Sequence, residues 1–285
     1  MEADSSGKGF EIKNSKIPIL LALKRIEELK PHEETVATDL RGIVNTLQRD
    51  PILRHPVVAD AATGAVLDGN HRLAALSELG CFTIPTALID YQNPMVKVDR
   101  WFRVITGESL DDFVKRTKDN QGHLVKSLSE SDRCLLSRLS YASLCNKTKW
   151  FTFATGEPDA VEAFKKSYRI EEIARNNHLK IAYTDSNDLT GLHKSSFMMS
   201  TICVEKSEVV ESCMNHRLFP PKSTRHLIPS RPLGLSVPVE WLKNPNYAEA
   251  ESDFVRHIRS KHVKRLPEGS KVGSRRYLEE VFLFD

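Results

Sequence analysis

Residues Asp68-Gly69-Asn70-His71-Arg72 join a short apolar run, Ala65-Val66-Leu67, to a run with helical spacing, Leu73-Ala74-Ala75-Leu76. A strand that turns through glycine into a helix leaves the first backbone N–H groups of the helix unpaired and aimed at one point, where an anion is stabilised. Phosphate is the obvious candidate, because His71 and Arg72 add side-chain donors there and a guanidinium fork suits phosphate oxygens. The same pattern also serves as an ordinary capped turn, so the motif alone leaves both readings open.

A chain of 285 residues is long enough for a substantial core and is expected to fold as two domains. Its 28% charged and 40% hydrophobic residues fit a globular protein rather than a disordered one. The longest apolar runs, such as Ile17 to Leu23, are far shorter than the ~20 residues of a membrane helix. The first ten residues, MEADSSGKGF, hold no apolar signal core, so export and membrane insertion are not expected. Five cysteines without a CxxC pair argue against a disulfide scaffold and a cysteine zinc site, and fit a reducing cytoplasm. A net charge of +3 is too small for a nucleic-acid footprint, and the locally basic stretch from Arg256 to Arg276 reads as a solvated face.

Residues 1 to 9 read as loose and polar, and order is expected from Phe10. Ile17 to Leu23 reads as a buried strand or short helix, and Lys30-Pro31 ends it, leaving His32-Glu33-Glu34 on a loop. Val36, Leu40, Ile43, Val44 and Leu47 have amphipathic helical spacing. Pro56 to Ala59 and Ala65 to Leu67 flank a turn at Thr63-Gly64 and predict a hairpin. The helix from Asn70 should turn Leu73, Leu76 and Leu79 inward and stop at Gly80. Glu108 to Lys149 reads as polar and mostly helical, with a linking role. A second α/β unit is expected from strand-like runs at 149–154, 179–183 and 198–204 and helical ones at 158–176 and 207–216.

Several mechanisms are removed by what is missing. There is no P-loop, no protein-kinase glycine loop, no dinucleotide glycine fingerprint, no zincin pattern after His32-Glu33 and no nucleophile elbow. Three clusters remain: His32-Glu33-Glu34, Asp68 to Arg72, and Lys222 to His226. Two carry cations and donors suited to phosphates, and two carry carboxylates suited to magnesium or to accepting a proton. Each taken singly also reads as a solvated loop, and Trp101 as a core residue.

Lys30-Pro31-His32-Glu33, the Asp68–Arg72 turn followed by Leu79-Gly80, Asp90-Tyr91, Val96-Lys97-Val98, Trp101 and Pro221-Lys222-Ser223-Thr224-Arg225-His226 occur in that order. This set resembles the free L-serine kinases of the ParB/sulfiredoxin-like superfamily. The resemblance implies an α/β (α+β) fold with a ParB/sulfiredoxin-like nucleotide-binding domain over 10–107, a helical linker or insertion over 108–148, and a second α/β domain with a C-terminal extension over 149–285. The active site would lie in the cleft between domains. It also implies phosphoryl transfer from ADP or ATP to the hydroxyl of free L-serine, giving O-phospho-L-serine for cysteine biosynthesis. Archaeal members use ADP, which favours that donor here.

The resemblance assigns Glu33 as the base for the serine hydroxyl and Asp68 as magnesium ligand or partner in that role. Gly69, Asn70, His71 and Arg72 would hold nucleotide phosphates; Ser223, Thr224, Arg225 and His226 would contact the transferred phosphate or serine, and Trp101 would wall the serine pocket. Asn70 stands where sulfiredoxins need cysteine, so that chemistry is not expected. A ParB-like nucleotide-binding or DNA-associated module without kinase activity is the alternative, disfavoured because the second half does not read as a helix-turn-helix. Glu108 to Lys149 and the tail beyond Asn244 match nothing in the family pattern. The apolar end Val281-Phe282-Leu283-Phe284 predicts either an extra packed strand or an oligomer contact.

Overall fold

A computed structural model describes residues 9–117, 122–154 and 159–285; the expected loose N-terminus and the start of the helix at Pro158 lie outside the described residues, apart from Gly9. The fold is mixed α/β with largely antiparallel sheets. The chain divides into two compact units, one drawn from Met1–Lys97, Val209–His216 and His226–Asp285, the other from Val98–Glu208 and Arg217–Arg225. This differs from a division at 107 and 148, because the last sixty or so residues (226–285) return to the first unit.

The first unit is built on a five-stranded sheet in the order Phe10–Ile12, Ile19–Arg25, Thr83–Ile89, Val57–Asp60, Val66–Asp68. The expected hairpin is the antiparallel pair Val57–Asp60 and Val66–Asp68. Val57–Asp60 then runs parallel to Thr83–Ile89, a pairing that requires a crossover, and the helix Asn70–Glu78 supplies it. The run Ile17 to Leu23 resolves as strand from Ile19 onward rather than as helix; Leu21 and Leu23 are buried where it pairs with Thr83–Ile89. The amphipathic helix forms over Ala37–Arg49, burying Val44 and Leu47, and packs against Asn70–Glu78.

The C-terminal segment belongs to this unit for a plain physical reason. Its helix Tyr247–Arg259 buries Ala250, Phe254 and Ile258, and the Tyr247 hydroxyl donates to the Leu23 carbonyl at 2.7 Å. Strand Glu280–Phe284 lies in the middle of a three-stranded sheet, parallel to Ser230–Leu233 and antiparallel to Val263–Leu266. The terminal apolar run is therefore a packed internal strand.

The second unit is a six-stranded antiparallel sheet in the order Lys180–Thr184, Phe102–Thr106, Ser196–Thr201, Ser140–Cys145, Trp150–Ala154, Gly122–Val125. Helix Ala160–Asn176 covers it, its Ser167 hydroxyl bonding the Tyr141 carbonyl at 3.0 Å. The stretch 108–148, expected as a helical linker or insertion, supplies two strands of this sheet besides the helices Leu110–Arg116 and Leu128–Leu136. Ser140–Cys145 is buried throughout, yet its Ser140, Tyr141 and Ser143 dilute the apolar signal that marks a central strand.

Phe284 is 2% exposed and meets Phe10 edge to face with centroids 5.9 Å apart. Phe284→Ala should destabilise the protein by about 3–5 kcal/mol, read as a lower urea midpoint; an unchanged midpoint would show that the terminal strand contributes little to the first unit.

Candidate active site

In the first unit, the strand Val66–Asp68 ends at Gly69, which takes φ 107°, and the helix Asn70–Glu78 begins with no side-chain cap. A Cβ at Gly69 would stand 2.7 Å from Val57 Cγ1 and 3.0 Å from Arg72 Nη2, so the turn needs glycine both for its left-handed backbone and for space. The uncapped helix start makes the N–H groups of the first turn available to an anion.

The Asp68 carboxylate accepts from two guanidiniums at Oδ2: Arg72 Nη2 at 3.1 Å and Arg231 Nη1. Its Oδ1 accepts no hydrogen bond from any described residue. Burial works to raise the Asp68 carboxyl, but Arg231 and Arg72 outweigh it and hold the group well below the usual carboxylate range. Arg72 Nη1 also donates to the carbonyls of His55, at 3.1 Å, and Pro56. Arg72 is thus built into the scaffold of the turn. His71 likewise accepts the Val36 N–H at Nε2, 2.9 Å away, so that nitrogen caps the helix Ala37–Arg49 and cannot donate to a phosphate.

Two histidines hang from the same strand. His32, 1% exposed, donates from Nδ1 to the Val66 carbonyl at 2.6 Å, which leaves Nε2 as its basic nitrogen, 3.7 Å from Glu33 Oε1. The amide of Asn70 lies 3.4 Å from His32 Nδ1, and Asn70 Oδ1 is buried without a partner. His226 bonds the Leu67 backbone and accepts at Nε2 from the Tyr91 hydroxyl at 2.8 Å. The two imidazoles meet edge to face, centroids 5.2 Å apart. Burial lowers the His32 pKa despite Glu33, Val66 and Asp68; burial and His32 press His226 well below its ordinary value. Both rings are neutral at pH 7, and burial raises the Tyr91 phenol so that it stays a donor.

The remaining sequence candidates gather in the second unit. Trp101 Nε1 donates to the Thr224 carbonyl at 3.0 Å, with Arg225 Cζ 5.5 Å and Lys222 Nζ 5.9 Å from the ring centroid. Arg225 Nη2 bonds Asp185 at 2.8 Å, and the buried Ser223 hydroxyl donates to the Pro220 carbonyl at 2.7 Å. Beneath them, Arg103 bonds the Trp101 and Lys222 carbonyls at 2.6 and 2.9 Å and pairs with Glu171 at 2.7 Å. The Lys222–His226 motif is split between the units: Arg225 falls in the second and His226 in the first.

Glu33, Asp68, Gly69, Asn70, His71, Arg72 and His226 therefore share the first unit, and Trp101, Ser223, Thr224 and Arg225 the second. Sequence reading missed Arg231, Glu279, Arg103 and Glu171, because the pairs Arg231–Glu279, Arg103–Glu171 and Arg231–Asp68 join positions 48, 68 and 163 residues apart and Arg103 lies in an ordinary strand pattern. Among the described residues no group of three or more His, Cys, Asp or Glu could hold a metal by itself. No described helix is long and apolar enough to cross a membrane.

Gly69→Ala should weaken nucleotide-phosphate binding about ten-fold or more by distorting the turn, measured by calorimetric titration with ADP; unaltered affinity would contradict a turn built for phosphate. A second expectation concerns pH. The folded-state pKa values of His32, His55 and His226 are all lowered, chiefly by burial. Unfolding then takes up protons, so stability is complete above the unfolded value near ~6.5 and falls as pH drops below it, by up to about 1.4 kcal/mol per group per pH unit. Urea midpoints measured from pH 7.5 to 5 should decline, and a flat profile would contradict the neutral assignment.

No model of a known protein family matches the chain. Curated relatives do. The chain is 24% identical over 226 residues to the ADP-dependent L-serine kinase SerK of Thermococcus kodakarensis, covering 76% of this chain and 90% of that protein. It is 24% identical over 257 residues to an ATP-dependent L-serine kinase of Staphylothermus marinus, covering 84% of this chain and all of that one. A ParB-like protein of Sulfolobus acidocaldarius is 25% identical over 202 residues, 70% of this chain and 87% of its own. Among solved structures, a free serine kinase in complex with AMP matches with TM-score 0.67 and 22% identity over 84% of this chain and 98% of that chain. A glutamate-to-alanine variant in complex with ADP matches with TM-score 0.67 and 21% identity, covering 84% and 98%. Over most of its length the chain is homologous to proteins named L-serine kinases, and it has the fold of the solved free serine kinases.

Proposed function

We propose that this chain is a free L-serine kinase, a phosphotransferase that moves the terminal phosphoryl group of ADP or ATP to the serine hydroxyl. The observation that carries the reading is the Gly69 turn: an uncapped helix start beside an ionised carboxylate, with buried His32 against Asn70 and Glu33 next to His32. The homologues named above divide between ADP and ATP as donor, so both nucleotides remain in the proposal.

Phosphoryl transfer asks little covalent chemistry of a protein and much positioning and charge neutralisation. In this reading the N–H groups of Asn70 and His71 hold phosphate oxygens, with Gly69 allowing the close approach. Arg72 fixes the turn. Glu33 accepts the proton as the serine Oγ forms its bond to the terminal phosphorus and the bond to the leaving nucleotide oxygen breaks. Its side chain is 14% exposed, shielded enough to act on one hydroxyl yet open to a substrate.

Asp68 Oδ1 fits magnesium, which takes one or two carboxylates together with substrate phosphates rather than an all-protein cage. The ion would neutralise phosphate charge; Asp68 is the residue that would hold it. Neutral His226, fixed by Tyr91, adds a polar wall without repelling a cation. Trp101, Ser223, Thr224 and Arg225 are assigned to serine and the transferred phosphate, Ser223 through its backbone because its hydroxyl already bonds Pro220. A role in cysteine synthesis within a reducing cytoplasm completes the proposal and suits five cysteines that are all unbridged.

Incubation with magnesium, L-serine and either ADP or ATP should yield a phosphoserine signal by phosphorus NMR, and its absence with both donors would refute the kinase reading. Salt-sensitive duplex binding without phosphoserine would point instead to the ParB-like alternative. Glu33→Gln should lower kcat by roughly 10²- to 10⁴-fold with ADP affinity nearly unchanged; an unaltered kcat would remove Glu33 from the base role.

A further inference from the structure

Arg231 and Glu279 have no part in the chemistry assigned above, yet they sit directly behind Asp68. The Arg231 side chain is 11% exposed; its Nη1 donates to Asp68 Oδ2 and its Nε to Glu279 Oε1 at 2.7 Å. Burial disfavours the charged guanidinium, but Asp68 and Glu279 more than offset this and raise its pKa. The placement is set by strand register. Ser230–Leu233 pairs in parallel with Glu280–Phe284, matching Ser230 to Glu280 and Arg231 to Val281, and the Ser230 hydroxyl bonds Glu280 at 2.8 Å. The C-terminal strand thereby brings Glu279 to the guanidinium.

We infer that Arg231, braced by Glu279, is the positioning residue of the phosphate site: it grips Asp68 by Oδ2 and so presents Oδ1 toward the phosphate end of the nucleotide. This makes the C-terminal segment part of the active-site framework, and its effect on rate rests on the kinase reading above. Two directed arms are essential to the role. A guanidinium reaches both carboxylates at once from a rigid plane, which an ammonium at the end of a flexible stem does not. Without Arg231, the Asp68 charge would face the nucleotide phosphates with only Arg72 in direct contact to balance it.

Kinetics of Arg231→Lys, Asp68→Asn and the double variant test the inference. Arg231→Lys should lower kcat about ten-fold or more with the serine KM within about three-fold, and should add less than about two-fold to the loss already caused by Asp68→Asn. Glu279→Gln should lower kcat in the same sense, and Glu279→Asp should restore most of it. A wild-type kcat in Arg231→Lys, or a full further loss in the Asp68→Asn background, would overturn the role.

Calorimetry with ADP reads the same coupling without serine: Arg231→Met should weaken ADP about ten-fold, and less than about two-fold when Asp68 is asparagine. If the wild-type protein makes no phosphoserine, the kinase reading fails while this titration still decides the positioning role, equal weakening in both backgrounds counting against it. If Arg231 variants do not fold, the Glu279 pair decides: no loss in Glu279→Gln, or none regained in Glu279→Asp, overturns it.

Discussion

Asp68 sits between two guanidiniums, and much of the first unit is arranged to keep it there. Arg72 reaches it from the first turn of the helix Asn70–Glu78 while also gripping the His55 and Pro56 carbonyls. Arg231 reaches it from a strand whose register is fixed by the C-terminal strand. The carboxylate is thereby tied to the five-stranded sheet, the crossover helix and the three-stranded layer at once. A carboxylate held this firmly stays ionised at neutral pH, as the magnesium-holding role proposed for Asp68 requires.

Around this charged ladder the neighbouring rings are kept neutral. His32 and His226 both hang from carbonyls of the strand Val66–Asp68, and burial outweighs the nearby carboxylates that would protonate them. The site thus combines fixed dipoles and one ionised carboxylate with apolar ring faces. Such preorganisation suits a reaction whose main demand is to stabilise charge already present on phosphate oxygens. The second unit is organised around a different buried pair, Arg103 with Glu171, which holds the Trp101 and Lys222 carbonyls in place.

Local features were legible in the sequence, and long-range ones were not. The hairpin before Asp68, the glycine turn and the amphipathic helix from Ala37 rest on spacing and turn chemistry that act over a few residues. The strand Ser140–Cys145 escaped because serine and tyrosine fill a buried pleat as well as valine would. The tail's return to the first unit rests on contacts such as Tyr247 with Leu23, Phe284 with Phe10 and the pairing of Val237–Pro238 with Ile52–Leu53, for which one chain carries no periodic signal. At the site, residue types in the Asp68–Arg72 turn pointed to phosphate, but not to the work each side chain does: His71 caps a helix and Arg72 clamps a loop. Arg231 and Glu279 were invisible for the same reason as the strand pairing that delivers them.

The most direct measurement is the response of backbone amide resonances to nucleotide. ADP titrated into isotopically labelled protein should shift the Asn70 and His71 amides strongly, while adenosine at the same occupancy should leave them nearly in place. Equal shifts with adenosine and ADP, or shifts that bypass residues 69 to 72, would contradict a phosphate site at this turn.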